Sequence, residues 1–357
     1  MLKWGSLVTA TLVLAVSLTS CATPNTNSST EGGRSATASG GKSRLDIVKE
    51  RGELICGVDG KIPGFSFVDE TGEYSGLDVD VCKAVAAAVL GDASKVQYRP
   101  LDSTERFTAL SGGEVDMLSR NTTWTLSRDT SVGLEFAPTT FFDGQGMMVP
   151  TNSNIADLKA FQGKSICVEA GTTTELNLTD NLRKAGVEAE ISTFQQADQA
   201  YNAYLEGRCQ GMTSDKSQLL ARRSKFPNPD EHILLDVTMS KEPLGPVTIN
   251  NDSAWFDVVK WVTYGLIEAE EFGIMQANVE EMLESDDPNI RRFLGVEQGL
   301  GEGIGLEDDF MVKAIEAVGN YGEVYDRNLG EQSTFNLPRG QNDLWTNGGL
   351  MYSPPFR

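Results

Sequence analysis

Between Asp116 and Arg128 the chain reads D-M-L-S-R-N-T-T-W-T-L-S-R. Val115, Met117 and Leu118 form a short apolar strand that gives way to hydroxyls, an amide and two arginines. Thr125 and Ser127 have the character of residues that open a helix. A strand ending at a helix start exposes unpaired backbone N–H groups, which hold anions. Arg128 adds a planar fork matched to a carboxylate. Thr123 supplies one more donor, and Asn121, by its side chain or its carbonyl, accepts from an ammonium. These are the parts needed to hold the carboxylate and amine of a free amino acid. A polar turn with a helix cap and a surface arginine accounts for the same residues.

Other chemistries find fewer parts. His232 is the only histidine, which removes histidine-clustered metal sites and leaves one candidate for a Ser-His or Cys-His pair. It stands in N-P-D-E-H-I-L-L, a loop-to-strand junction, where a structural role is expected. No two cysteines lie close in sequence, so no zinc or other metal is expected. No G-x-x-x-x-G-K-[ST] loop occurs, so no nucleotide is expected, and no cofactor is implied. The formal net charge of -21 argues against nucleic-acid binding and against a polybasic membrane surface.

The N-terminus sets the compartment. Lys3 precedes an apolar run, Leu7 to Leu18, too short to span a bilayer. Leu18-Thr19-Ser20-Cys21 then resembles a bacterial lipoprotein lipobox. That resemblance implies a signal peptide over 1–20, cleavage before Cys21 and lipid on its sulfur; a plain secretory leader would also export the chain. Residues 21–43, rich in Thr, Ser, Asn and Gly, read as a flexible tether. Cys56, Cys82, Cys167 and Cys209 remain, an even number that implies disulfides with three pairings. Cys56 with Cys82 and Cys167 with Cys209 is the pairing that keeps each bond inside one expected lobe.

The elements that must position these residues alternate between strand and helix, an α/β pattern. Glu53 to Val58 reads as a strand, followed by the loop Lys61–Ser66 with Phe65 in it. Asp78 stands where a cap would open an alanine-rich helix ending at Leu90. Val96 to Leu101 is a strand and Glu105 to Leu110 a helix. A second series begins after Pro150. Ser165 to Val168 is a strand running into Glu169, and Thr172 with Glu175 has capping-box spacing. Gln210 to Thr213 is another strand, and Asp215 with Gln218 repeats the capping spacing. Gln145–Val149 and Leu244–Ile249 are apolar segments that cross between the two units. Beyond them Trp255, Val258, Val259 and Val262 recur at helical spacing as a core stripe. A helical pattern from Leu306 to Asn328 and an irregular tail with Trp345 and Tyr352 complete the chain.

With two α/β units and two crossings, the chain resembles a substrate-binding protein of an ABC importer, in the branch that binds polar or general L-amino acids. G-F-S-F-V-D (Gly64 to Asp69), G-L-D-V-D-V (Gly76 to Val81), L-S-R-N-T-T-W-T-L-S-R-D (Leu118 to Asp129), E-A-G-T-T-T-E-L-N-L (Glu169 to Leu178), S-K-E-P-L-G-P (Ser240 to Pro246) and V-G-N-Y-G-E-V (Val318 to Val324) carry the likeness. It covers essentially all of the chain after the tether. It implies a type II periplasmic-binding-protein-like fold with two hinge strands. The first lobe would be 44–146 with 247–357, including a C-terminal extension, and the second lobe 147–246.

The resemblance also implies roles. Arg128 matches the arginine that pairs with the ligand α-carboxylate, Thr123 the hydroxyl and N–H beside it, and Asn121 the carbonyl facing the α-amino group. Thr172 matches a second carboxylate donor, Asp215 the acid that pairs with the ammonium, and Phe65 a loop aromatic that packs on the ligand. Arg120 and Glu169 are close enough to read the ligand side chain, or else form surface ion pairs. The implied partners are an L-amino acid and the permease and ATPase of the importer, with the protein itself a lipid-anchored, exported monomer. An enzyme on the same fold, such as a cyclohexadienyl dehydratase, would need a proton-transfer group, for which Glu169 is the cleft candidate. A sensing ectodomain would need a membrane or signalling segment after Arg357. The expectation is therefore a non-enzymatic receptor with no catalytic residues.

Overall fold

The computed structural model describes residues 42–297 and 299–357. The segments expected to be a signal peptide and a tether, with Cys21, lie outside the described residues up to Gly41. Ser43, at the end of the expected tether, already caps the first helix, Arg44–Arg51, by accepting from the Asp46 N–H.

Two sheets of five strands organise the rest. The first runs Val96–Pro100, Leu54–Val58, Met117–Leu118, Val247–Ile249, Leu134–Phe136. Its first three strands are parallel, and Val247–Ile249 is antiparallel to both its neighbours. The second runs Glu190–Phe194, Ser165–Glu169, Gly211–Asp215, Gln145–Pro150, His232–Leu234. It repeats the same order of parallel and antiparallel pairs. Disulfides join Cys56 to Cys82 and Cys167 to Cys209, each within one half.

The crossings differ from the expectation. Gln145–Pro150 is an interior strand of the second sheet, and Val247–Ile249 an interior strand of the first. Their apolar runs reflect burial on both faces, which sheet interiors demand. The chain crosses a few residues earlier, through Phe141–Asp143 and Glu242–Leu244, which pair antiparallel as a separate two-stranded ladder.

The C-terminal extension packs on the first half and on this ladder. The pattern from Leu306 to Asn328 forms two helices, Phe310–Val318 and Tyr321–Asn328. Gly319, at φ 75° and ψ -170°, breaks the first, and Asn320 with Glu323 closes a capping box on the second. Phe310–Val318 lies along Leu77–Leu90 and Ser253–Glu271, and its apolar side chains join theirs in one core with Phe293, Leu344 and Phe356. Pro243, opposite Phe142 in the crossing ladder, has no N–H to give. Phe142 turns instead to Asn342, whose Oδ1 accepts its N–H at 2.6 Å and whose Nδ2 donates to its carbonyl at 3.2 Å. Tyr321 Oη donates to Thr140 O at 2.7 Å beside them.

Candidate functional site

The parallel strands of both sheets end at a shared cleft, the place where open α/β sheets gather ligands. Leu54–Val58 delivers Asp59, and Met117–Leu118 delivers Ser119 to Thr123. From the other side Ser165–Glu169 delivers Glu169, and Gly211–Asp215 delivers Ser214 and Asp215. Asp59, Arg120, Asn121, Thr123, Glu169, Ser214 and Asp215 line one cavity.

The first wall is rich in guanidinium groups. Arg120 is buried, donating Nε to Leu101 O at 2.7 Å and Nη2 to Asp59 at 2.8 Å. The surface ion pair expected for it is thus an interior one. Arg106, in the lining, is 2 % exposed, and among the described residues its Nε has no hydrogen-bond partner. Burial, then the nearby Arg120 and Arg128, pull its pKa well below the ordinary arginine value. Arg128 stands behind Thr123, not in the lining, and donates Nη1 to Thr123 O at 2.8 Å. Burial lowers it to about 10, against the opposing pull of Glu242 and Asp215. Arg106 and Arg128 share one platform, the Phe107 ring, at 4.8 Å and 5.2 Å.

The loop between them is held from beneath. Asp78 is not the expected cap, since Gly76 occupies that position. Its carboxylate instead accepts from Asn121 N at 3.2 Å and Ser119 Oγ at 3.4 Å, and burial raises its pKa to about 7. Asn121 adopts φ 36°, a left-handed backbone that asparagine tolerates. Both of its amide atoms are buried without a partner among the described residues. Thr125 caps helix Leu126–Thr130 by accepting from Arg128 N at 3.3 Å, as its spacing implied.

The second wall carries acids and hydroxyls. Thr172 caps helix Thr173–Ala185, accepting from Glu175 N at 3.1 Å, while Glu175 reaches back to Gly171 N at 3.0 Å. Thr172, Thr173 and Thr174 all reach the cavity. Glu169 is buried there with its pKa raised by desolvation, partly offset by Arg120. Asp215 stands at the start of helix Lys216–Arg223 but makes no cap bond. Its Oδ1 is buried and has no partner among the described residues. Burial, with Asp143 and Glu242 nearby, holds its pKa well above the usual carboxylate range. The helix start is served by Asp143 instead, whose Oδ2 accepts from Ser217 N at 3.2 Å.

The cavity therefore brings together Asn121, Thr123, Thr172, Asp215, Arg120 and Glu169, with Arg128 one contact behind. Phe65 departs from its expected place. It is 1 % exposed, edge-on to Phe141 at 5.1 Å in the core, and does not line the cavity. Its carbonyl is pinned by Gly76, where an added Cβ would come within 2.1 Å of it. The glycine in G-L-D thus locks this loop against the helix. Ile62 supplies the apolar contact instead.

Sequence reasoning missed Arg106, Asp59 and Glu242. The signal for Arg106 was slight: an arginine at a helix start in T-E-R-F-T, one residue before an aromatic. His232 hydrogen-bonds Tyr204 Oη at 2.8 Å, away from the cavity. Among the described residues no group of three or more His, Cys, Asp or Glu is placed to hold a metal ion. No described helix is long and apolar enough to cross a membrane.

The halves also touch across the cleft. Gln196 Nε2 donates to Asp102 at 3.0 Å and Lys61 pairs with Asp198 at 3.2 Å along the lips, with Thr123 and Thr173 facing each other at 3.4 Å deeper in.

Known proteins share this architecture. The general L-amino acid-binding periplasmic protein AapJ of Rhizobium johnstonii is 48% identical over 315 residues, covering 88% of this chain and 92% of that one. The glutamate/glutamine/aspartate/asparagine-binding protein BztA of Rhodobacter capsulatus is 48% identical over 316 residues, covering 88% and 94%. An ABC transporter periplasmic binding protein from Brucella ovis, solved with glutathione bound, is 47% identical with a TM-score of 0.86, covering 89% of this chain and all of that one. The description of the bacterial extracellular solute-binding proteins, family 3, matches residues 54–330, and the chain belongs to that family.

Proposed function

We propose that the protein is the extracytoplasmic receptor of an amino acid ABC importer. It captures a free L-amino acid between its halves, closes over it and hands it to a membrane permease driven by a cytoplasmic ATPase. The relatives are binding proteins and not enzymes, and this chain takes the same part. The observation that carries the reading is the set of unpartnered buried atoms at the cavity, with Asp215 Oδ1 and Asn121 Oδ1 open to a donor and Arg106 Nε open to an acceptor. A buried polar atom without a partner costs about 1–3 kcal/mol, and more when charged. An ammonium meets the first demand and a carboxylate the second.

In this arrangement Asp215 and the Asn121 carbonyl take the α-ammonium, and Arg128, with the Thr123 N–H and Thr172, takes the α-carboxylate. Arg106 is left for a second anion, the side-chain carboxylate of an acidic amino acid. Glu169 and the Arg120–Asp59 pair supply polar contacts for neutral side chains. The lobes divide within the Phe141–Asp143 and Glu242–Leu244 ladder, which serves as the hinge. Export follows from the leader, and lipid on Cys21 keeps the monomeric receptor beside its permease.

Calorimetric titration of the chain from Ala22 onward with each L-amino acid, beside Arg128→Ala, tests this. One-to-one saturable binding that the variant loses is expected. A folded, ligand-free protein that binds no amino acid overturns the reading.

A further inference from the structure

Glu242 lies on the second crossing strand and is 1 % exposed. Its carboxylate gathers donors from both sides of the cleft. Oε2 accepts from Thr123 Oγ1 at 2.6 Å and from Thr173 Oγ1 at 2.8 Å. Oε1 accepts from Asn177 Nδ2 at 2.9 Å and from the Ser240 hydroxyl. Thr123 belongs to the first half, on the loop that ends Met117–Leu118. Thr173 and Asn177 belong to the first turns of helix Thr173–Ala185 in the second. The carboxylate thus sits at a helix N-terminus, where the backbone dipole favours negative charge, and next to the Arg128 guanidinium.

Backbone contacts tie the same strand to the same loop. Trp124 N donates to Pro243 O at 2.9 Å and Gly245 N donates to Thr122 O at 3.2 Å. The site loop of the first half is therefore docked on the crossing strand, and Glu242 reaches from that strand to the helix of the other half.

We propose that Glu242 is a positioning residue that latches the two halves together. Closure is then set by the protein's own carboxylate as well as by the ligand. A buried carboxylate is held only where donors replace its water. With Thr123 and Thr173 on opposite halves, a rotation that parts them strips the carboxylate of donors from one side. The latch stabilises the closed form by the same amount whatever the ligand side chain. It also engages the Thr123 hydroxyl, so this group holds the loop in register while Arg128 and the backbone meet the ligand.

Two measurements test it with the chain from Ala22 onward and Glu242→Gln, which keeps the side-chain volume but offers fewer acceptors. Small-angle scattering of the ligand-free proteins should show a larger radius of gyration for the variant. Stopped-flow dissociation of L-glutamate and of L-glutamine should each speed up by roughly tenfold, as expected for losing hydrogen bonds to a charged group, with the ratio between the two ligands unchanged. Asn177→Ala, which removes one donor and leaves the carboxylate, should move both readouts the same way by less. A lowered melting temperature with unchanged scattering and unchanged off-rates overturns the latch. So does an off-rate change confined to one ligand, which would make Glu242 a specificity contact. The kinetic arm rests on the amino acid reading, but the scattering arm does not. If neither amino acid binds, scattering alone decides the latch.

Discussion

The two halves are built on one plan and carry opposite chemistry. Each has three parallel strands, then an antiparallel strand that arrives from the other half, then a short edge strand. In both, the residues that meet the cavity follow the ends of the parallel strands or open the helices after them. Yet the first wall presents Arg106 and the Arg120–Asp59 pair, backed by Arg128, while the second presents Glu169, Asp215 and three threonines at a helix start. The scaffold thus decides where a group stands, and a few residues past each strand decide its charge. Each wall alone holds buried charge that it cannot fully satisfy. The halves face each other with opposite charge across the cleft, and the proposed zwitterion would answer both.

Removing the acid of the second wall breaks this comparison most severely. Asp215→Asn should weaken every amino acid by about 2–5 kcal/mol, the cost of truncating a buried charge pair, as read by calorimetry. The ligand-free melting temperature should hold or rise, because Asp215 has no partner to lose. A clear fall in melting temperature would make the carboxylate structural.

On the first wall, Arg106→Gln should weaken L-glutamate by about 10- to 100-fold, the range for hydrogen bonds to a charged group, and change L-glutamine far less. Equal losses would move Arg106 from the side chain to the α-carboxylate.

The pH dependence sharpens the contrast. Asp78 at about 7, Asp143 at about 6 and Asp215 well above the usual range all have folded pKa values raised by burial. Their folded forms bind protons more tightly than the unfolded chain. The stability they contribute is full below the ordinary carboxylate value near 4 and is lost as pH rises through the folded values. The ligand-free melting temperature should therefore fall between about pH 5 and about pH 8. Amino acid affinity should rise with pH, as Asp215 becomes free to accept an ammonium. A melting temperature that climbs with pH would reverse the assignment.

The smallest effects belong to the periphery. Asn342→Ala leaves the Phe142 N–H and carbonyl without their partners and should cost about 1–3 kcal/mol in denaturant unfolding. Lys61→Ala removes a half-exposed lip pair, 43% and 42% accessible, and should change stability by under about 1 kcal/mol.

What could be read beforehand was whatever local chemistry expresses. The Asp116–Arg128 stretch, the Thr172 cap and the two disulfide pairs are local or follow from lobe membership. The crossings were misplaced by a few residues because apolar runs report burial, and the interior strands beside the ladder are more buried than the ladder itself. Asp78 and Asp215 both fit a capping pattern and neither caps, since a cap signal records spacing and not direction: Asp78 holds Asn121 and Ser119, and Asp215 lines the cavity. Phe65 was sent to the ligand by its loop, whereas Gly76 fixes that loop so that the ring turns into the core. Arg106 carries only a slight local signature. Its importance arises only when folding buries it without a partner.

The antiparallel strand each sheet borrows sets an order of events during folding. The second sheet draws all its strands from one unbroken stretch between Gln145 and Leu234. The first cannot join Met117–Leu118 to Leu134–Phe136 until Val247–Ile249 slides between them, and its core waits longer still for Phe310–Val318. Contacts between distant parts of a chain form late, because loop closure must precede them. The half that begins the chain is thus the half completed last. A chain emerging from a membrane channel N-terminus first would carry its first sheet unfinished until Val247–Ile249 followed, and its core unfinished until Phe310–Val318 did.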